Sequence, residues 1–313
     1  MSQSEVRAVL DVGSNSVLLL VASRTQSGWA PLIEWTSVTG LGRGTKETGL
    51  LSCDGIGETL AALKEGYRLA QKAGATRICA AVTMAARIAT NTPEFLAKGE
   101  AQQTPLRVLS CEDEAKLGFL SVADDPLMSE ADRITIIDPG GHSTELVTAD
   151  RTADGWRTLF RRSFAIGALG LRDSIWTDES PSLSARLKAC QWADDTIGLR
   201  YLPHSCGQVV TLGATGTNLI TIREAMTQWD PHKVHGQWLD FEEVSRAVGW
   251  MCDMDDAGRA AIVGIEPGRE KTLHAGALIL ERFMQAVGCL GTKVSVRGWR
   301  HALLERMDTW PLD

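Results

Sequence analysis

Two short stretches bring a carboxylate and glycine amides to the end of an apolar run, a combination that can hold a phosphate group. In ITIIDPGGHSTELV, residues 134–147, the apolar run ends at Asp138 and is followed by Gly140 and Gly141. Glycine has no Cβ, so its N–H can come close to an anion. Taken alone, Asp-Pro-Gly-Gly is also ordinary turn chemistry. The pattern, however, occurs twice. In AVLDVGSNSVLLLVAS, residues 8–23, a second apolar strand ends in Asp11 and is followed by Gly13, a small polar turn and Ser16. Superposing Asp11 on Asp138 pairs Gly13 with Gly140, Ser16 with Ser143, Leu19 with Leu146 and Ala22 with Ala149 without a gap, an offset of 127 residues (138 − 11). That spacing suits a duplicated domain and is too long for a solenoid unit.

Two acid-bearing glycine hairpins imply a cleft in which both face one polyanionic ligand. Carboxylates and phosphates repel, so a cation is expected between them. Mg²⁺ fits, because it prefers oxygen ligands and commonly bridges Asp or Glu to phosphate through water. A third hairpin-like turn is read in TLGATGTN, where Gly213, Thr215 and Gly216 would serve another part of the ligand. Glu112, Asp113 and Glu114 open a further helix. Acids in a first turn usually complement the helix dipole, and only one of the three can point into a cleft. Crowding of acids near a phosphate would raise one pKa toward the range a base needs. Arg87 follows a strand end, where its charge could meet a phosphate or simply solvent.

The elements that must position these residues follow from apolar period and turn signals. The first half reads as two hairpin strands, a third strand over 29–37, and a helix begun by Asp54 and stopped by Gly74. Strand RICAAVT, helical segments over 84–102, strand LRVLS and a helix from Cys111 complete it. VADDPLMSEADR, with Pro126, is the expected boundary. The second half repeats the order: two hairpin strands, a strand over 156–163, helices, strand QVVTL and a helix after Gly216. Helices over 241–252 and 269–287, strand TKVSV and a last helix from Trp299 close the chain. Strands in a run, then alternating with helices, predict an α/β protein with a mixed sheet in each half. The expected domains are 1–125 and 126–313, with the last helix able to pack back on the first.

Composition permits this. The 313 residues exceed what one core usually serves, and 44% hydrophobic with 23% charged residues is ordinary for a globular protein. No basic segment with an apolar stretch opens the chain and no apolar run reaches membrane-spanning length, so a cytoplasmic location is expected. Seven dispersed cysteines without a CxxC read as reduced thiols, mostly core filler. His232 and His235 lack further ligands nearby and read as surface residues. A net charge of −7 argues against a duplex nucleic-acid partner. Ten tryptophans exceed expectation, and core packing or a homodimer interface would use them.

The same residues resemble the Ppx/GppA family, exopolyphosphatases and guanosine pentaphosphate phosphohydrolases of the actin-like ATPase superfamily. DVGSNSVLLLV is similar to the first phosphate loop, LGRGTKETGLLS to its following segment, VTMAARIATN to the Arg-bearing strand-to-helix stretch, CEDEAKLGF to the acidic helix start, and DPGGHSTELV to the second phosphate loop. GATGTN, HAGALIL and VSVRGWRHALL resemble the remaining blocks, and the order covers nearly the whole chain. The resemblance implies two ribonuclease H-like domains with an interdomain cleft, in a short form lacking the C-terminal helical domains of longer members.

It also implies roles. Glu114 matches the catalytic base that activates water, and Arg87 a cation neutralising the departing phosphoryl group. Asp138 and Glu145 match metal- and water-positioning acids, with Asp11 their counterpart in the first loop. Backbone amides of Gly13, Ser14, Asn15 and Ser16, and of Gly140, Gly141, His142 and Ser143, would hold phosphate oxygens. Mg²⁺, or Mn²⁺ in its place, is the implied metal, and polyphosphate or guanosine penta- or tetraphosphate the implied ligand. Several positions depart from the family pattern. Pro139 and His142 replace Ile and Gly, Leu18 an Arg or His, Asp113 a Glu, Gly40 an Arg, and Lys271 and Val296 replace Asp. Two other functions remain compatible with the residues: an ATP-using kinase of the same superfamily, and a non-catalytic sensor of polyphosphate or an alarmone, motivated by His142 and Pro139.

Overall fold

The computed structural model describes residues 4–26, 28–202 and 205–310. They fold into two compact units, Met1–Ser121 with Trp299–Asp313, and Val122–Gly298. Pro126 therefore lies inside the second unit, a few residues past the division, and the final helix belongs to the first.

The first unit begins with β1 (Val6–Val12), β2 (Ser16–Thr25) and β3 (Gly28–Val38). After α1 (Thr45–Thr48) and α2 (Cys53–Lys72) come β4 (Arg77–Val82), α3 (Met84–Ile88), α4 (Thr92–Ala101), β5 (Arg107–Val108) and α5 (Cys111–Ala123). The sheet order is β3-β2-β1-β4-β5, antiparallel across the first three strands and parallel from β1 through β4 to β5. β1 lies between two partners and is apolar along most of its length, as a central strand requires. α2 begins at Ser52, whose hydroxyl accepts from the Gly55 amide at 3.0 Å, and not at Asp54. Its Ile56, Leu63 and Tyr67 pack on one side of the sheet. α13 (Trp299–Arg306) covers Val9, Leu20 and Ala22, and Arg7 fixes its end by donating to the Leu304 carbonyl.

The second unit contains β6 (Arg133–Pro139), β7 (Thr144–Thr152), β8 (Gly155–Phe164), α6 (Ala168–Ser174), α7 (Leu183–Ile197), β9 (Gln208–Thr211) and α8 (Gly213–Arg223). It continues with α9 (Pro231–Val234), β10 (Trp238–Asp240), α10 (Phe241–Cys252), α11 (Asp256–Ala260), α12 (Leu273–Val287) and β11 (Gly291–Val294). The sheet order β10-β11-β9-β6-β7-β8 repeats the first sheet with one antiparallel strand added at an edge. α12, buried almost all round, is the centre of the core, and Phe283 meets Phe164 edge-on at 5.2 Å. TLGATGTN is not a hairpin. β9 runs directly into α8, which starts at Gly213 rather than after Gly216.

The 127-residue offset governs far more than the first hairpin. Asp11 faces Leu18 and Asp138 faces Glu145. One extra residue bulges β3 at Leu32 and β8 at Leu159, each opposite the same step of its partner strand. Arg24 lies over Trp29 at 5.4 Å and Arg151 over Trp156 at 4.3 Å, so two tryptophans serve these repeated stacks. The returning chain also docks alike: Gly42 donates to the Ser14 carbonyl and Leu169 to the Gly141 carbonyl, both at 2.7 Å.

All seven cysteines are free thiols: Cys206 and Cys252 are buried in the core, Cys79, Cys190 and Cys289 pack against it, and Cys53 and Cys111 are exposed, so core filling describes most of them. Among the described residues no helix is long and apolar enough to cross a membrane.

The close docking at Gly167 gives a test of this packing. A Cβ there would lie 2.4 Å from backbone atoms of Gly141 and His142, whereas Gly57, exposed in α2, has open space around it. Gly167→Ala should cost about 2 kcal/mol or more in urea unfolding. Gly57→Ala should instead stabilise by about 0.5–1 kcal/mol.

Candidate active site

Each glycine hairpin closes on itself. The Gly13 amide donates to the Ser16 carbonyl and the Gly140 amide to the Ser143 carbonyl, both at 2.8 Å. These two amides are therefore engaged within the turn and are not offered to an anion, a correction to the sequence expectation. The glycines are needed for the turn itself: a Cβ on Gly140 would stand 2.9 Å from the Ser143 oxygen. What the first loop does offer is unsatisfied polarity. The Asn15 Nδ2 and Ser16 Oγ atoms are buried and meet no hydrogen-bond partner among the described residues. A buried donor of this kind is costly unless something polar reaches it.

In the second loop His142 is wholly buried. Its imidazole is therefore shut away from solvent. Asp138, half-buried at the end of β6, lies directly across from Glu145 on β7, and Glu145 lies across from Ser163 on β8. Opposed residues share a face, so two carboxylates and a hydroxyl stand in one row. The Ser163 hydroxyl donates to Glu145 Oε1 at 2.7 Å. Ser163 escaped the sequence reading, although extending the 127-residue offset through the third strand would have set it beside Glu145. Gly213 packs against Asp138: a Cβ there would be 3.0 Å from its Oδ1, and φ is +77°. Thr215 and Gly216 are occupied by packing. The Thr215 hydroxyl abuts Gly276 of α12, and Gly216 lies against Thr211 and Val294.

These residues bear on a metal. Among the described residues no three Asp, Glu, His or Cys side chains form a cluster able to enclose an ion. A side-by-side pair of carboxylates nevertheless fits Mg²⁺, which keeps several waters and takes its remaining oxygens from phosphate. Zinc, which wants a closed nitrogen and sulfur shell, does not fit.

Glu114 is placed by the parallel strands of the first sheet, whose C-terminal ends lie together. The Leu109 amide donates to the Val82 carbonyl at 2.8 Å, which sets the end of β5 beside that of β4. Ser110 then opens α5: its hydroxyl accepts from the Asp113 amide at 3.0 Å and donates to the Asp113 carboxylate at 2.7 Å. Asp113 is thus spent on the cap and Glu112 is exposed, so Glu114 is the acid that turns inward. Arg87, on α3 just past β4, meets it with Nη1 2.8 Å from Glu114 Oε2, the two side chains being only 13% and 14% exposed. Nη1 also donates to the Leu109 carbonyl at 2.7 Å. Burial holds the Glu114 carboxyl above its ordinary range, against the opposing pull of Arg87. The Nε and Nη2 donors of Arg87 are buried and find no acceptor among the described residues. The pair therefore joins a carboxyl held above its ordinary range to a cation with two directed N–H groups to spare.

The model of the Ppx/GppA phosphatase family matches residues 20–308. Exopolyphosphatase 2 of Mycobacterium tuberculosis is 26% identical over 288 residues, covering 88% of each chain. Exopolyphosphatase 1 of Mycobacterium bovis is 25% identical over 305 residues, covering 95% of this chain and 87% of its own. The crystal structure of the Aquifex aeolicus Ppx/GppA family member superposes with a TM-score of 0.78 at 26% identity, over 97% of this chain and 98% of that one. An exopolyphosphatase from Cytophaga hutchinsonii superposes at 0.85 with 20% identity over 97% of each, a likeness of fold.

Removing Arg87 leaves Glu114 buried without its counter-charge. Arg87→Ala should cost about 3 kcal/mol at pH 8, where the carboxylate would be stranded. The sign at low pH is opposite in trend: a raised folded-state pKa means that the protonated form suits the fold, so the loss shrinks as pH falls through it. Urea unfolding at pH 5 and pH 8 checks this.

Proposed function

This chain belongs to the Ppx/GppA phosphatase family, and on that premise we propose that it is a divalent-metal-dependent phosphohydrolase releasing terminal orthophosphate from inorganic polyphosphate, guanosine pentaphosphate, or both. The observation that carries the reading is the buried Glu114–Arg87 pair, in which desolvation tunes a carboxylate for proton transfer and leaves guanidinium donors unfilled. The exopolyphosphatases among its relatives favour polyphosphate as the substrate.

In this mechanism Glu114 accepts a proton from water as the water oxygen bonds to the terminal phosphorus and the bridging P–O bond breaks. The electron pair of that bond leaves with the shortened chain, and the proton passes from Glu114 to solvent. Arg87 Nε and Nη2 meet oxygens of the transferring group, where charge develops in a dry setting and a donor counts for more than in water. No covalent intermediate forms. Asp138 and Glu145 would hold Mg²⁺, or Mn²⁺, whose charge when bound offsets that of the phosphates. The residues give no support to an acceptor other than water. A sensor of polyphosphate or an alarmone, the reading that His142 and Pro139 motivate, would bind these ligands without releasing orthophosphate.

Purified protein incubated with Mg²⁺ and either long-chain polyphosphate or guanosine pentaphosphate should release orthophosphate. Glu114→Gln should lower the rate by roughly two to four orders of magnitude while the far-UV spectrum is kept. Unchanged release by a folded Glu114→Gln protein would remove Glu114 from the role of base.

A further inference from the structure

A cavity of about 310 Å³ opens in the second unit, lined by the last turns of α7 and α12 and by the segment that follows α7. Ile197, Leu199 and Ala286 give it an apolar floor, and Asp194, Arg200, Arg282 and Gln285 its polar lining. None of these residues belongs to the glycine hairpins, to the carboxylate row or to the Glu114–Arg87 pair.

The charges in the cavity do not cancel. Arg282 donates from Nε and Nη2 to the two oxygens of Asp194, at 2.8 and 2.7 Å, so the acid is matched by one base. Arg282 Nη1 is left over from that fork. The exposed Arg200 forms no side-chain hydrogen bond or ion pair among the described residues, and the exposed Gln285 side chain has no partner there either. One positive charge therefore remains in excess, beside a set of N–H donors.

Cations near a helix C-terminus ordinarily serve its dipole. Here backbone amides already take carbonyls at both helix ends. Gly198, left-handed at φ +57°, donates to the Asp194 carbonyl at 2.9 Å, and Gly288 and Tyr201 donate to the Gln285 and Ala286 carbonyls at 3.1 and 2.8 Å. The same bonds hold the segment that carries Arg200, whose neighbours Leu199 and Tyr201 pack against the core. The backbone is fixed and the guanidinium is unspent.

We propose that this cavity binds a small organic carboxylate, its head on Arg200 and Arg282 Nη1 and its apolar body against Ile197, Leu199 and Ala286. A bare inorganic anion would leave the apolar floor unused, and a neutral apolar molecule would leave the excess charge unanswered. A single negative charge balances that excess, and the planar guanidinium fork matches the two oxygens of a carboxylate. The inference is independent of the hydrolase reading.

Para-fluorobenzoate is the probe, titrated into the full chain and followed by its fluorine resonance and by the amide resonances of the protein. Saturable binding with a Kd of about 1 mM or tighter is expected, with amide shifts concentrated at residues 198–201 and 285–286. Arg200→Gln should weaken binding roughly tenfold with the melting temperature unchanged, and Arg200→Lys should recover part of the loss. Para-fluorobenzamide, of the same shape without the charge, should bind at least about tenfold more weakly than the acid. Absence of saturable binding, amide shifts confined to other parts of the chain, or equal affinity of wild type and Arg200→Gln would overturn the site.

Discussion

A carboxyl group shut away from water must either find a counter-charge or keep its proton, and Glu114 does some of both. Its ion pair with Arg87 fixes where β4, α3, β5 and the first turn of α5 must meet, because either partner alone would be a stranded charge. Burial wins over the pair's attraction in setting the direction of the pKa, which is upward. Stability and chemistry are opposed here. An isosteric apolar pair could pack the same space without the desolvation cost, but it could not accept a proton from water.

The duplicated frame explains how one backbone device came to carry two kinds of loop chemistry. Strand register, bulge position, hairpin closure and the docking of the returning chain are all preserved at a constant offset, which fixes loop geometry in both units. Once geometry is fixed by backbone hydrogen bonds, side chains at the loop can change without loss of fold. Leu18 against Glu145, and Arg43 against Gly170, are such changes. Each alters local charge and leaves the hairpin intact.

The sheets were legible because strand signals are local: short β-branched runs closed by Asp and glycine turns gave the hairpins and the mixed order. Helix starts were less so. Ser52 caps α2 where Asp54 had seemed to, and α8 begins at Gly213 with no side-chain cap at all, so nothing in the sequence marks it. Burial decided the site. The three acids of α5 look equivalent until Ser110 is seen to claim Asp113, and the S-x-x-D spacing of a capping box would have pointed there. Which loop amides stay available was not legible, since Gly13 and Gly140 spend theirs on carbonyls three residues on. Nor was the burial of His142, which depends on how the chain returns past Gly167.

The central claim, that desolvation tunes Glu114 as the base, is tested most directly by the pH dependence of kcat/KM for orthophosphate release. A base must be ionised to act, so the rate should rise with pH through a limb lying clearly above 4.5, the ordinary value for a glutamate. A limb at or below that value would contradict the account.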